Sequence, residues 1–278
     1  MKQQLKGTLK KLGLYYSLQG GYSNSLFILQ RNKNRRHYKK FKGQGFVCNH
    51  CGFSYSRFVA VYPSDANSEA ITKNKVINGY GENIYCPNCM CGARERLILA
   101  MLQQEIEIKG KKILHLSPET IVYEYIATKA NVITGDIEPG FYKKTDPNIL
   151  TLDATAFTVE NDSFDIIIGN HMLEHIPEDQ KAMKEFYRIL KPGGIAILQV
   201  PYSETISGTL EEPFINDRAR QSKLFGQNDH VRIYQLADYM ERLKHAGFKV
   251  GVVPPEKLRK KFPSLVFQQG ESFISIQK

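Results

Sequence analysis

No cysteine lies beyond Cys91 in this sequence of 278 residues, there is no tryptophan, and no apolar run reaches the roughly 20 residues that a membrane-spanning helix needs. With no signal-like apolar h-region either, the expectation is a soluble, cytoplasmic protein. Confinement of all five cysteines to positions 48–91 excludes the disulfide framework of a small secreted domain. Acidic residues are missing from the first 43 positions, where eight Lys and three Arg stand. Of the chain's 38 basic and 28 acidic side chains, the remainder therefore keeps 27 and 28. The basic character belongs to the N-terminus, and the rest is nearly neutral, as in an ordinary enzyme. This segment interleaves its charges with Leu14, Tyr15, Tyr16 and Leu18 and ends in RNKNRRHYKKFK. Such a pattern suits RNA, an anionic membrane or an acidic glycan, and equally a solvated arm or a helix packed on the neighbouring domain.

The cysteines form two C-x2-C pairs, Cys48/Cys51 and Cys86/Cys89. Four thiolates from two tight turns are the donor set of a structural Zn²⁺. Gly52 and Pro87 give both turns knuckle character. The separation between the pairs exceeds ordinary zinc-ribbon spacing, which predicts a hairpin excursion through Gly79, Tyr80 and Gly81. Cys91 is surplus, a free thiol beside the site or a replacement for Cys89. The competing reading without metal is a set of reduced, buried cysteines.

Beyond the cysteines the pattern alternates strands and helices. Ala93 to Ile106 has apolar residues at helical spacing and links the cysteine module to the enzyme core. Strands are expected at Lys112–Leu116, Asn131–Thr134, Asn148–Leu152, Phe164–Gly169, Ile195–Val200, Phe248–Val253 and Ser272–Gln277. Helices are expected through Ile121, Tyr125 and Ile126, at Glu178–Leu190, and at Gln235–Ala246. Ser117 followed by Pro118 reads as an N-cap with proline at N1. The fold class is thus α/β, a seven-stranded doubly wound sheet with helices on both faces. The expected division is a basic segment 1–43, a zinc-ribbon-like module 44–92 and an enzyme domain 93–278. In Phe164–Pro201 a buried strand, Ile166–Ile168, gives way to Asn170, His171, Glu174 and His175 at its carboxyl end, where ligands bind in open α/β sheets.

That stretch also resembles the core of class I S-adenosylmethionine (SAM) dependent methyltransferases of the type 11 kind. The resemblance rests on Phe164–Asp165 opening the strand, Leu173–Glu174–His175 after it, and Leu190–Lys191–Pro192–Gly193–Gly194 closing the helix. Within that family the C-x2-C pairs, a first-strand turn with His115 and Pro118–Glu119, and the late NDHVR at Asn228–Arg232 resemble one bacterial branch. The resemblance implies a Rossmann-like methyltransferase fold with SAM as cofactor. A carboxylate ending the second strand, Asp136, would then accept hydrogen bonds from the ribose diol. Asp153, followed by Ala154, resembles the acidic residue that receives the adenine amino group. Either Asp could instead be an N-cap or an Asx turn. The first turn departs from the family's Gly-rich loop, with His115 at the usual acidic position and Ser117 and Glu119 at two usual glycines. Asn170 and His171 are expected to support the SAM pocket.

The segment Tyr202–Tyr234 is long, polar and without clear periodicity, which makes it the expected acceptor lid. His230 is the expected base for an oxygen acceptor, with Asp229 or Glu211 orienting it and His175 and His171 behind it. Alternatively His230 and Arg232 pin the lid by hydrogen bonds. The expected function is methyl transfer to an oxygen of a small-molecule or glycan-linked acceptor. An RNA methyltransferase using residues 1–43 and a non-catalytic protein with a decayed SAM pocket are the alternatives.

Overall fold

The computed structural model describes residues 14–278. The start of the basic segment, with Lys2, Lys6, Lys10 and Lys11, lies outside the described residues. From Leu14 the basic segment is a helix, α1 (Leu14–His37), laid against the body. Near its C-terminal end Asn34 donates to Met90 Sδ at 3.1 Å and Arg35 to the Asn88 carbonyl at 2.8 Å. Near its other end Tyr16 meets Phe141 edge-on, with ring centroids 5.0 Å apart.

Strands β1 (Lys42–Val47) and β2 (Ser54–Tyr55) pair antiparallel around the first cysteine pair. Strands β3 (Val59–Val61) and β4 (Gly81–Tyr85) do so ahead of the second. The excursion between them is more than the expected hairpin, because it contains helix α2 (Asp65–Lys73). Ala70 and Ile71 of α2 are buried in a cluster with Phe225 and Ile233, which belong to the expected lid. Helix α3 (Ala93–Gln104) then begins where the Glu95 carboxylate accepts from the Gly92 N–H at 2.6 Å.

The main sheet takes β5 (Lys112–Leu116), β6 (Asn131–Asp136), β7 (Leu150–Thr151), β8 (Phe164–Ile168), β9 (Leu190–Ile197), β13 (Lys249–Val253) and β14 (Phe273–Gln277). Its order is β13-β14-β9-β8-β5-β6-β7, and β14 runs antiparallel to both neighbours. Helix α4 (Thr120–Ala127) joins β5 to β6, α5 (Asp179–Ile189) joins β8 to β9, and α7 (Leu236–His245) precedes β13. Both faces of the sheet are covered because β8 is apolar at consecutive positions. Ile167 packs with Phe186 of α5 and Tyr239 of α7, whereas Ile166 and Ile168 pack with Leu97 of α3 and Val122 of α4. After β7 the chain returns to place β8 on the other side of β5. That reversal opens a crevice at the carboxyl ends of β5 and β8, the position where doubly wound sheets bind ligands.

Two local expectations change. Strand β9 starts at Leu190 and carries Lys191–Gly194 as a bulge, since pairing jumps from Phe164↔Leu190 to Ile166↔Ile195. Gly193 has φ +77°, which only glycine adopts without strain, and its N–H donates to the Lys278 carbonyl at 2.9 Å. The expected lid is also no loop. It forms β10 (Tyr202–Ser203), β11 (Leu210–Glu211), helix α6 (Arg218–Phe225) and β12 (Arg232–Gln235), with β12 at the centre of a three-stranded sheet. Strands of two to four residues leave no periodicity to read, so this sheet was invisible in the sequence.

Candidate functional site

A cavity of about 910 Å³ lies at the carboxyl ends of β5, β6 and β8. Ser117, Glu119, Asp136, Asp153, Ala154, Asn170, His171, Asp229 and His230 all border it. Strand ends far apart in sequence thus converge as the topology requires.

On the β5–β6 side the first turn is built differently from the expected helix cap. Ser117 is not an N-cap: helix α4 starts at Thr120, and Ser117 sits in the left-handed region at φ +45°. Its hydroxyl donates to Asp136 Oδ2 at 2.6 Å, while the Glu138 N–H donates to Oδ1 at 2.6 Å. The Asp136 carboxylate is thereby fixed and still has lone pairs for two further donors. His115, expected in the cofactor pocket, does not border the cavity. It is fully buried behind Glu119, with Nε2 2.9 Å from Glu119 Oε2. Asn170 donates to the other oxygen of Glu119 at 3.2 Å. Burial resists ionisation of Glu119, but the His115 hydrogen bond and charge outweigh it and hold the carboxyl below its usual range. Asp153 forms an Asx turn, accepting the Thr155 N–H at 2.8 Å and hydroxyl at 2.7 Å, and these bonds depress its carboxyl.

On the β8 side stand a buried carboxyl and three imidazoles. His171 adopts φ +49°, a strained conformation for a non-glycine residue, and its N–H donates to the Gln199 carbonyl at 2.7 Å. Its Nδ1 lies 3.6 Å from Glu174 Oε1, and His230 Nε2 approaches the same oxygen at 3.9 Å. The His175 and His230 rings meet edge-on at 4.7 Å. Burial pushes the Glu174 carboxyl up and lowers the His171 imidazolium well below its ordinary range. Burial, helped by His175, lowers His230 to about 3. His230 is therefore neutral at physiological pH.

The expected orienting partners of His230 are engaged elsewhere. Asp229 faces His175, whose Nδ1 is 3.1 Å from the Asp229 carbonyl and 3.7 Å from its carboxylate. Glu211 does not border the cavity and instead pairs with Arg232 at 3.0 Å and Arg242 at 2.8 Å. Arg232, almost fully buried, donates to the carbonyls of Leu173 (2.8 Å), Ile176 (2.5 Å) and Pro177 (2.8 Å). The lid strand thus clamps the segment that carries Glu174 and His175.

Sequence reasoning missed Asn78, Arg94, Tyr142 and Phe214, all of which border the cavity. Arg94 is the lining's one guanidinium, and no lysine joins it. Its place two residues before the buried Arg96 of an apolar helix was a readable signal. Burial pushes the Tyr142 phenol up to about 12. A second cleft, about 630 Å³ near Lys109 and Lys129, holds neither histidine nor aspartate and lies at the amino ends of the strands.

The four expected metal ligands do come together. Ligand atoms of Cys48, Cys51, Cys86 and Cys89 all lie within 4.8 Å of one another. The Cys48–Cys89 and Cys51–Cys86 sulfur separations are 3.7 Å each. A tetrahedral Zn²⁺ with bonds of about 2.3 Å spaces its sulfurs about 3.8 Å apart, so the donor set fits the ion. Cys91 stays outside the group, buried, with Sγ 3.8 Å from the Gly92 carbonyl.

Residues 43–251 match the family model of a methyltransferase domain. The chain belongs to this methyltransferase family. Over 107 residues the methyltransferase is 28% identical to the ubiquinone biosynthesis O-methyltransferase of Coxiella burnetii, a match covering 34% of this chain and 46% of that protein. It therefore spans less than half the length of that relative. Among solved structures, a SAM-dependent methyltransferase from Mesorhizobium loti aligns with TM-score 0.49 at 15% identity, covering 67% of this chain and 98% of the other. Another, from Methanosarcina mazei, aligns with TM-score 0.44 at 14% identity, covering 64% and 96%. The methyltransferase has no helix among its described residues long and apolar enough to cross a membrane.

Proposed function

We propose that this methyltransferase methylates an oxygen of a small-molecule acceptor, bound on the β8 side of the cavity with SAM on the β5–β6 side. The observation that carries the reading is the pairing, in one cavity, of a fixed carboxylate at the end of β6 with a neutral imidazole and buried carboxyl after β8. Asp136 holds the ribose hydroxyls of the cofactor, Asp153 and Ala154 border its adenine, and Glu119, oriented by His115 and Asn170, faces its amino-acid end together with Ser117. Arg94 supplies positive charge to a carboxylate of cofactor or acceptor. SAM, when bound, supplies a methyl group already activated by its sulfonium. The protein's part is to align the acceptor oxygen behind that methyl and exclude water. With SAM bound, the acceptor oxygen would form the new O–C bond as the S–C bond breaks with its electron pair on sulfur, and the hydroxyl proton would pass to solvent. His230 keeps its lone pair at neutral pH, so it is placed to accept a hydrogen bond from the acceptor hydroxyl or to bind a cation, while the burial that holds it neutral makes it too weak a base to keep the proton. The 28% match to a ubiquinone O-methyltransferase supports oxygen as the acceptor atom. In the cysteine module, Cys48, Cys51, Cys86 and Cys89 hold a structural Zn²⁺ that fixes β1–β4 and the start of α3.

The test pairs binding with turnover. S-adenosylhomocysteine is expected to raise the melting temperature, because a ligand bound only by the native state must stabilise it. Labelled methyl from SAM is expected to enter hydroxylated acceptors and not their O-methylated or deoxy counterparts. Transfer to amines in preference to hydroxyls would overturn the oxygen reading.

A further inference from the structure

We propose that Glu174, His175 and His230 bind a divalent first-row cation on the acceptor side of the cavity. Among the described residues they form the one group besides the four cysteines whose potential ligand atoms all lie within 4.8 Å of one another. Two independent observations point to a ligand there. Glu174 is about 1% exposed, yet neither of its carboxylate oxygens has a hydrogen-bond partner. A buried carboxyl with no hydrogen bond, met only by imidazole nitrogens 3.6 and 3.9 Å from one of its oxygens, is costly, so it survives where something supplied from outside satisfies it. The second observation is convergence. Glu174 and His175 come from the turn after β8, whereas His230 is delivered from the lid by Val231, whose N–H donates to the Glu174 carbonyl at 2.9 Å. Arg232 then holds the carbonyls on either side of the pair, at Leu173, Ile176 and Pro177. Two chain segments are fastened so that their donors meet.

The donor set identifies the ion. Two imidazoles with one carboxylate suit Mn²⁺, Fe²⁺, Co²⁺, Ni²⁺ or Zn²⁺, whereas Mg²⁺ and Ca²⁺ prefer oxygen alone. Bonds of about 2.1 Å place neighbouring ligands about 3.0–3.4 Å apart. The Glu174–His230 separation of 3.9 Å closes to that value with a shift of about half an ångström. Three protein ligands leave coordination positions open toward the cavity that Glu174, His175 and His230 border. Those positions suit an acceptor offering an anionic oxygen or two adjacent oxygens. Charge from the ion makes such a hydroxyl a stronger acid, and His230 then serves as ligand rather than base. This catalytic part rests on the oxygen-acceptor reading above, while the cation's presence does not.

Mn²⁺ is the discriminating probe, because thiolate sites select softer ions and the four-cysteine group does not take it. With full-length protein as purified, titration followed by electron paramagnetic resonance is expected to show one Mn²⁺ bound per chain. Glu174→Gln, which keeps the side chain's shape, is expected to weaken binding at least about a hundredfold, since even supporting partners of metal ligands change affinity tenfold to a hundredfold. His230→Ala is expected to do the same without altering zinc content. Absence of Mn²⁺, Co²⁺ and Ni²⁺ binding by wild type, or unchanged Mn²⁺ affinity in Glu174→Gln, overturns the proposal. Binding of S-adenosylhomocysteine measured in chelator separates the two readings: if it persists while the cation fails, the methyltransferase reading stands alone.

Discussion

Truncation of Asp136 is the sharpest probe of the proposed cofactor site. The carboxylate receives the Ser117 hydroxyl on one oxygen and the Glu138 N–H on the other, each at 2.6 Å. Those two donors fix its orientation, so a ribose diol placed there as proposed would find two lone pairs ready. Hydrogen bonds to a charged group contribute about 1.5–3 kcal/mol each. Losing two therefore weakens cofactor binding by about 3 kcal/mol or more, roughly a hundredfold at 1.4 kcal/mol per factor of ten. Calorimetric titration of Asp136→Ala with S-adenosylhomocysteine is the assay, and Asp136→Asn, which keeps one acceptor oxygen, is expected to fall between it and wild type. The unliganded protein also loses two internal bonds to the same carboxylate, about 3–6 kcal/mol by the same figure, so Asp136→Asn, which keeps an acceptor oxygen for one of them, separates a binding defect from a folding defect. An affinity within threefold of wild type for both variants would refute the placement of the ribose on Asp136.

Other expectations concern buried groups away from that carboxylate. Burial raises the Glu271 carboxyl from 4.5 to about 7, an effect that Arg94 and Arg96 only partly oppose. Its folded-state value exceeds the unfolded one, so its favourable contribution is complete below about pH 4.5 and is lost as pH rises through about 7. At 1.36 kcal/mol per pH unit, Glu271→Gln should gain about 3 kcal/mol over wild type at pH 8 and little at pH 4.5; a gap in urea unfolding that does not grow with pH sinks the assignment. Arg96 donates to the carbonyls of Ile84, Cys91, Asn83 and Val266 at 2.6–3.0 Å. Arg96→Met strands these acceptors and should cost about 3–5 kcal/mol, a fall of roughly 10 °C in melting temperature, whereas a fall under 2 °C means that the arginine is dispensable. Cys86→Ser should abolish stoichiometric zinc in metal analysis, and retention of one zinc per chain would disprove the four-cysteine site.

The sheet was legible because its signals were continuous. Ile166–Ile168 could only be a strand buried on both faces, and Asp136 and Asp153 follow their strands closely enough for the topology to bring them into one cavity. Paired cysteines were legible for the same reason, since spacing fixes two ligands at once. What stayed hidden depends on contacts distant in sequence. Ser117 looked like a helix cap because serine before proline usually is one, yet the Asp136 carboxylate wins its hydroxyl and the helix starts three residues later. His115 occupies a position read as cofactor-binding but is buried behind Glu119, whose carboxylate its Nε2 meets. Glu211 looked available to His230 because both lie in the lid, but two arginines take its charge. Helix α2 escaped notice because its burial comes from Phe225 and Ile233 rather than from a periodic stripe of its own.

Arg232 explains why the lid and the turn after β8 act as one unit. A buried guanidinium must spend its donors inside the protein, and removing any acceptor leaves an uncompensated charge. Here the acceptors are three carbonyls of Leu173–Pro177 together with Glu211, and Glu211 is held in turn by Arg242, which also reaches Asp179 at 2.9 Å. The lid cannot swing away without stranding that charge, so opening of the cavity by a hinge at β12 is disfavoured. On the proposed reading, the acceptor would enter past the part of this segment outside the clamp, where Phe214 is exposed on the cavity rim and α6 rests on α2. The excursion between the two cysteine pairs therefore bears on the acceptor side of the site, because α2 is what α6 packs against. The cysteine module holds both ends of that excursion without bordering the cavity, so a Zn²⁺ bound there as proposed would steady the β10–β12 segment from outside the site.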